Sequence, residues 1–303
     1  MYTQYFNMTE MPFALLPDTS FFYESDSYKE ALNVLLVSIR SGEGFVKVTG
    51  EVGTGKTMLC RKLLNCLDEE NYVTVYIPNP FLAPNQLRMA LADELGIQYR
   101  DDVSDEITSY RLMSDITKKL MEHNDNGKKV VVCLDEVQAM PIETLEALRL
   151  FSNIETEKSK LMQTVLFGQP ELDERLNKNC NRQLKQRITF DYRLEPVDRK
   201  SLTGYINHRL RVAGYNGGEL FTSKAIDKIH KNSKGVPRIV NTLCNKALIL
   251  AFGQGQANVA GKHITQAIND AEDGGNAKSV ALYVSLAVLT VVLLGLAAWA
   301  LLR

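Results

Sequence analysis

The segment Val48–Cys60, "VTGEVGTGKTMLC", follows the apolar run "GFVKV" and contains three glycines, Gly50, Gly53 and Gly55. Glycine loses more backbone freedom on folding than any other residue, so three of them within six positions indicate a required backbone geometry. The residues before this loop are typical of a strand, and those after it have helical spacing. The segment therefore predicts a strand–loop–helix unit whose loop is shaped for close approach of a ligand.

Gly50–Thr57 matches the pattern G-x-x-x-x-G-K-[ST] at every fixed position. In such a loop successive backbone N–H groups point at phosphate oxygens, and the following helix adds a partial positive charge. Lys56 would reach the β- and γ-phosphates, and the Thr57 hydroxyl would bind Mg²⁺. The alternative is a chance match in a flexible loop. The predicted nucleotide-binding residues of the loop are Gly50, Glu51, Val52, Gly53, Thr54, Gly55, Lys56 and Thr57.

A second acidic motif, "VVVCLDE", ends a nearly charge-free run that predicts a strand buried on both faces. Asp135 would lie at the edge of the sheet beside the phosphate loop and hold Mg²⁺ together with Thr57. Glu136 is then placed to polarise a water near the γ-phosphate. The alternative is a strand end with two solvated acids.

Two further segments contain polar side chains that could act at the same edge. Gln169 follows the run "MQTVLFG" and could orient water or the γ-phosphate, although a turn residue before Pro170 is an equally good interpretation. Arg238 lies in the first turn of a helical segment, "KGVPRIVN". Helix amino termini do not favour cations, so an anionic partner is indicated, with a surface ion pair as the alternative.

The segment "NRQLKQRI" contains Arg182 and Arg187. A run of basic residues is most often a solvated helix face. The functional interpretation is an arginine that completes the site of a neighbouring subunit and neutralises charge in the transition state. Arg187 is the first candidate and Arg182 the second.

Strand and helix patterns alternate along the first two thirds of the chain, which predicts a parallel sheet with helices on both faces. After Pro196 only helical patterns follow, which predicts a small all-α domain. The predicted strands are 45–49, 72–77, 129–135, 162–168 and 187–194. The predicted parts are a leader (1–27), an α/β domain (28–195), a helical lid (196–273) and a linker (274–279).

The last part of the chain, residues 280–302, contains no charged side chain. A helix of this length spans about 30 Å of hydrocarbon, and Tyr283 and Trp299 lie near its ends, where aromatic rings favour the interface. The segment predicts a single transmembrane helix, with a buried core helix as the alternative. The net charge of −1, from 35 basic and 36 acidic residues, makes nucleic acid an unlikely partner.

In combination these motifs resemble the AAA+ ATPases, in which "GEVGTGKT", "VVVCLDE", "LFGQPEL", "RQLKQRI" and "GVPRIVN" occur in this order. The leader "PFALLPDTSFFYESDSYKEAL" resembles the general secretion pathway protein A (ExeA-like) group, which includes proteins of MSHA-type pilus biogenesis. The resemblance covers residues 9 to 272. It implies that Gln169 and Arg238 are the two sensor residues, that Arg187 is the arginine finger, and that Pro12 and Phe13 lie near adenine.

The resemblance also implies a role. We expect an ATPase that depends on ATP and Mg²⁺ and has a P-loop NTPase fold followed by a small all-α lid. Residues 280–302 would anchor it in the bacterial inner membrane, with the ATPase part in the cytoplasm. It would form a homo-oligomer and act with inner-membrane pilus or secretion assembly proteins. Secretion-type members continue into a peptidoglycan-binding domain, and this sequence stops at Arg303, which favours a pilus-type member. The alternative is a DNA-associated regulator similar to the ATPases of transposition.

Overall fold

The structure is a computed structural model that describes residues 2–78, 81–98, 106–151, 153–157, 159–178 and 181–270. The chain divides into two compact units. An α/β unit contains Leu15–His208 with Val236–Arg238, and a helical unit contains, of the described residues, 2–14, Arg209–Gly235 and 239–270.

The α/β unit is built on a five-stranded sheet in the order β2-β3-β4-β1-β5, and every neighbouring pair is parallel. The strands are β1 (Phe45–Thr49), β2 (Tyr72–Ile77), β3 (Lys129–Leu134), β4 (Met162–Gly168) and β5 (Ile188–Arg193). The predicted parallel sheet is confirmed. Because β4 lies between β1 and β3, the segments that follow these three strands meet at one edge of the sheet.

Helices cover both faces of the sheet. Side chains of β3 alternate between two buried clusters: Val130, Val132 and Leu134 lie on one face, and Val131 and Cys133 on the other. Burial on both faces explains why β3 is an uninterrupted apolar run rather than an alternating one. The helices, in chain order, are α1 (Tyr2–Tyr5), α2 (Asp26–Arg40), α3 (Lys56–Cys66), α4 (Pro84–Glu94), α5 (Glu106–Asp125), α6 (Ile142–Phe151), α7 (Glu171–Leu176), α8 (Arg182–Lys185), α9 (Arg199–Val212), α10 (Ser223–Ser233), α11 (Pro237–Gly253) and α12 (261–270).

The start of the leader packs within the helical unit. The buried Arg209 guanidinium donates hydrogen bonds to the carbonyl oxygens of Pro12, at 2.5 Å, and Ala14, at 3.2 Å. The Phe13 ring makes an edge contact with Phe221, with centroids 5.9 Å apart. The two units therefore divide the chain differently from the predicted boundaries at residues 27 and 195.

Among the described residues, no helix combines the length and apolar character needed to span a membrane. The predicted linker (274–279) and the predicted transmembrane helix (280–302) lie outside the described residues.

Candidate active site

The phosphate loop leaves β1 and turns directly into α3, and two of its glycines have left-handed backbone geometry. Gly53 has φ 83° and Gly55, the N-cap of α3, has φ 97°. A Cβ atom at Gly53 would lie 2.6 Å from Cβ of Arg238, and one at Gly55 would collide with the Tyr28 hydroxyl. Both glycines are thus required by backbone conformation and by neighbours that leave no room for a side chain.

The Tyr28 side chain of α2 supports the loop from beneath. Its hydroxyl donates a short hydrogen bond to the Thr54 carbonyl oxygen. The ring is buried and makes an edge contact with Phe22, with centroids 5.4 Å apart. Burial raises the pKa of the Tyr28 phenol, so the hydroxyl keeps its proton and remains a donor. The sequence offered no signal for this contact, because helical spacing alone does not say which loop a helix faces.

The Lys56 ammonium lies inside the loop. Its Nζ donates hydrogen bonds to the carbonyl oxygens of Gly50, at 2.8 Å, and Glu51, at 3.1 Å. Burial lowers the pKa of Lys56, while the carboxylates of Glu136 and Asp135 oppose that shift. A buried ammonium held by two neutral carbonyls is poorly compensated, so an anion brought into the loop would gain a strong charge-assisted contact.

Thr57 and Asp135 are brought together as predicted from the two motifs. The Thr57 hydroxyl donates a hydrogen bond of 2.6 Å to Oδ2 of Asp135, and the Glu136 N–H donates to Oδ1 at 3.0 Å. Asp135 is only 2% exposed, and this burial raises the pKa of its carboxyl group. Since an unpaired buried carboxylate is costly, the site favours a cation beside Asp135.

The donor set fits Mg²⁺. This ion is bound through one or two carboxylates, a hydroxyl and the phosphates of its nucleotide, and it keeps several waters. Within the described ranges there is no group of three or more His, Cys, Asp or Glu side chains that could hold a metal without such a ligand. A site of one hydroxyl and one carboxylate therefore suits a metal that arrives with a nucleotide.

Glu136, Gln138 and Gln169 form one hydrogen-bonded group. Oε2 of Glu136 accepts hydrogen bonds from Nε2 of Gln169, at 3.0 Å, and from Nε2 of Gln138, at 2.5 Å. Oε1 of Gln138 accepts from the Gln169 N–H at 2.9 Å. Gln169 therefore lies beside Glu136, and its predicted role in orienting water or the γ-phosphate stays a prediction. Gln138 was missed, because nothing in "DEVQAM" distinguishes it from a surface glutamine.

Arg238 contacts the phosphate loop through its backbone. Its N–H donates a hydrogen bond to the Gly53 carbonyl oxygen at 3.2 Å. The residue lies in the first turn of α11, directly after Pro237, as the sequence predicted. Its predicted role as a sensor of the γ-phosphate stays a prediction.

Arg187 lies at the amino-terminal ends of the strands, whereas the phosphate loop lies at their carboxyl-terminal ends. It precedes β5, whose first residue, Ile188, pairs with Phe45 at the start of β1, whereas the loop follows Thr49 at the end of β1. Its guanidinium donates a hydrogen bond of 2.7 Å to Oδ1 of Asn153. Arg182, at the start of α8, is exposed on the same side. Neither arginine is placed to join the site of its own chain, so a finger role requires a second subunit.

A comparison with known proteins identifies the family. Residues 39–176 match the family model described as "AAA domain". The chain is 41% identical over 260 residues to general secretion pathway protein A of Aeromonas hydrophila, an alignment that covers 86% of this chain and 46% of that protein. Residues 39–176 therefore form an AAA domain, and the chain over most of its length is similar to this relative. The predicted resemblance to the general secretion pathway protein A type is confirmed.

Solved structures share the AAA+ fold of this chain. The structure of Drosophila ORC bound to DNA matches with a TM-score of 0.65 and 17% identity, over 88% of this chain and 65% of that chain. The ORC1 protein of Aeropyrum pernix in complex with DNA matches with a TM-score of 0.60 and 17% identity, over 82% and 65%. At such identities the likeness shows the fold alone. The chain also spans about half the length of the secretion pathway relative.

Proposed function

We propose that the chain is an ATPase that binds ATP with Mg²⁺ in the Gly50–Thr57 loop and hydrolyses it. The observation that carries this proposal is the meeting of a buried ammonium, Lys56, with the hydrogen-bonded pair Thr57 and Asp135 at one edge of the sheet. Thr57 and Asp135 would hold Mg²⁺, which neutralises phosphate charge when bound. Lys56 would bind the β- and γ-phosphates in place of its two carbonyl partners.

The water-activating role falls to Glu136. Its carboxylate follows the Mg²⁺-binding Asp135 directly and is held by two side-chain amides. It would orient a water toward the γ-phosphate and accept a proton from it. Gln169 would help to place the water. Arg238 would contact the γ-phosphate and transmit its presence to α11, in whose first turn it lies.

Hydrolysis should depend on oligomerisation, because Arg187 lies away from the phosphate loop of its own chain. We expect the specific ATPase rate of the full chain to rise with protein concentration. An Arg187→Ala variant should lose about 10³-fold in kcat, since a finger arginine is worth at least this much. Arg182→Ala, a change of the same size nearby, tests the second candidate and should keep full activity if Arg187 is the finger.

Mixing two inactive variants sharpens the test of the finger. Arg187→Ala keeps its own phosphate loop, and Lys56→Ala keeps its arginine. Mixed oligomers should recover activity at those interfaces where an intact loop faces an intact arginine. A flat specific activity together with no recovery on mixing would show that Arg187 does not act on a neighbouring subunit.

The proposed setting is the bacterial inner membrane, with residues 280–302 as a single anchor and the ATPase part in the cytoplasm. There the chain would support assembly of an MSHA-type type IV pilus or a type II secretion-like machine. Support comes from the uncharged tail and from the 41% identity to a protein named for the general secretion pathway. Since that protein is covered over 46% of its length, this role remains a proposal.

The second candidate function is a DNA-associated regulator. Four lysines occur on the exposed side of α10 and just after it: Lys224, Lys228, Lys231 and Lys234. Two of the structural neighbours were solved bound to DNA. The overall charge of −1 argues against this candidate, because non-specific DNA binding depends on excess positive charge.

Membrane fractionation of cells and a gel-shift assay separate the two candidates. We expect the full chain in the membrane fraction, a chain shortened to residues 1–275 in the soluble fraction, and no shift of duplex DNA at 150 mM salt. A full chain that stays soluble and binds DNA with an affinity that falls steeply with salt would support the regulator instead.

A further inference from the structure

We propose that Gln138 is a positioning residue for hydrolysis. Its side-chain amide links the carboxylate of Glu136 to the end of β4 by hydrogen bonds. This inference rests on the proposed function, because it assigns a role to a neighbour of the water-activating group. It concerns a residue outside both nucleotide motifs, in the 3₁₀ turn Val137–Ala139 that follows them.

Both the nitrogen and the oxygen of the Gln138 side-chain amide form hydrogen bonds. Its Nε2 donates to Oε2 of Glu136 at 2.5 Å, and its Oε1 accepts from the backbone N–H of Gln169 at 2.9 Å. A backbone N–H can only donate, and an ionised carboxylate can only accept. The two partners therefore fix a single orientation of the amide, and Gln138 connects the segment after β3 to the segment after β4.

The backbone of Gln138 is itself held from a third element. The Arg175 guanidinium of α7 donates short hydrogen bonds to the carbonyl oxygens of Gln138 and Met140. The last residue of β4 lies directly beside the amide: a Cβ atom at Gly168 would be at an ordinary contact distance, 3.4 Å, from Oε1 of Gln138. The turn and its side chain are thus set by contacts from α7 and β4 rather than by the turn alone.

Such a connection has a chemical consequence for Glu136. This residue has a left-handed backbone, φ 55° and ψ 37°, which is uncommon for a residue with a side chain. The amides of Gln138 and Gln169 both donate to Oε2, so they fix the direction of the carboxylate, and its other oxygen, Oε1, would then accept the proton of the attacking water. Loss of the Gln138 side chain would leave only the hydrogen bond from Gln169 to Oε2, and the Glu136 carboxylate could then rotate away from the water.

The first measurement compares kcat and the dissociation constant of ATP for Gln138→Ala and the unchanged full chain. We expect kcat to fall about 10- to 100-fold, as misplacement of a catalytic group does, with ATP binding within twofold. Gln138→Glu keeps the length and can still accept from Gln169, but it sets a carboxylate against Glu136. It should therefore be at least as slow as Gln138→Ala, whereas a purely structural role would be largely restored by this shape-conserving change.

A double-mutant cycle supplies the decisive readout. Because Gln138 acts through Glu136, adding Gln138→Ala to Glu136→Gln should lower the residual single-turnover rate by less than twofold. Gln163→Ala is the matched control: this buried glutamine bonds the carbonyls of Ile39 and Glu43 at 2.9 and 3.1 Å, and its loss should lower thermal stability without the selective loss of kcat.

The outcomes separate this inference from the proposed function. An unchanged chain that does not hydrolyse ATP would overturn both. If the chain hydrolyses ATP and Glu136→Gln stops it, the proposed function stands. In that case a kcat of Gln138→Ala within twofold of normal, or an equal loss in the Glu136→Gln background, would overturn the positioning role alone.

Discussion

Replacing Lys56 by alanine is expected to weaken ATP binding by about 10- to 100-fold, because a charge-assisted contact contributes about 1.5–3 kcal/mol and 1.4 kcal/mol is a tenfold change. The Lys56 ammonium is buried, and among the described residues its hydrogen-bond partners are the carbonyl oxygens of Gly50 and Glu51. A triphosphate would add the negative charge that these neutral groups lack. Titration of the full chain with ATP and Mg²⁺ measures the effect.

Two controls separate lost phosphate binding from a disturbed loop. Lys62→Ala removes the same charge from the same helix, where the ammonium lies 5.6 Å from the centre of the Phe22 ring, and should leave ATP affinity within twofold. Lys56→Met keeps the apolar stem and should be as weak as Lys56→Ala, with a melting temperature close to normal. Affinity that survives both Lys56 changes would mean that the loop does not bind phosphate.

The strands and the nucleotide motifs were predictable because their signals are local. The apolar run of β3 and the glycine spacing of Gly50–Thr57 each fit inside a short window. The parallel sheet then brings the ends of β1, β3 and β4 to one edge, so Thr57, Asp135 and Gln169 come together without further information. The position of Arg187 at the opposite edge was not predicted, because it depends on the parallel pairing of β5 with β1 that the structure shows.

The remaining contacts were not predictable because they join distant segments through single side chains. Arg209 binds the Pro12 carbonyl across 197 positions, one of several long-range contacts that hold the start of the leader in the helical unit. Tyr28 supports Thr54 through one hydroxyl. Gln138 bridges two strand ends through one amide whose direction depends on the turn after β3. Periodicity carries no information about any of these.

Replacing Glu136 by glutamine is expected to separate hydrolysis from binding. The side chain keeps its shape, so ATP affinity should stay within about threefold of normal, while kcat falls by about 10²–10⁴, the usual contribution of a general base. The amide oxygen can still accept from Gln169 and Gln138, so the local hydrogen bonds survive, and what is lost is the capacity to take a proton from water. Steady-state ATPase assays and ATP titrations measure the two quantities.

Glu143→Gln is the matched control, because Glu143 is an exposed acid in α6 that contacts no predicted site residue in the described hydrogen bonds and ion pairs. It should keep full activity. If Glu136→Gln hydrolyses ATP at the normal rate, the water is activated by another group. If hydrolysis is lost but pilus assembly in cells continues, the chain serves as a scaffold that uses ATP to fold or assemble, since only the chemical step has been removed. Loss of both would tie the assembly step to the proton acceptor at Glu136.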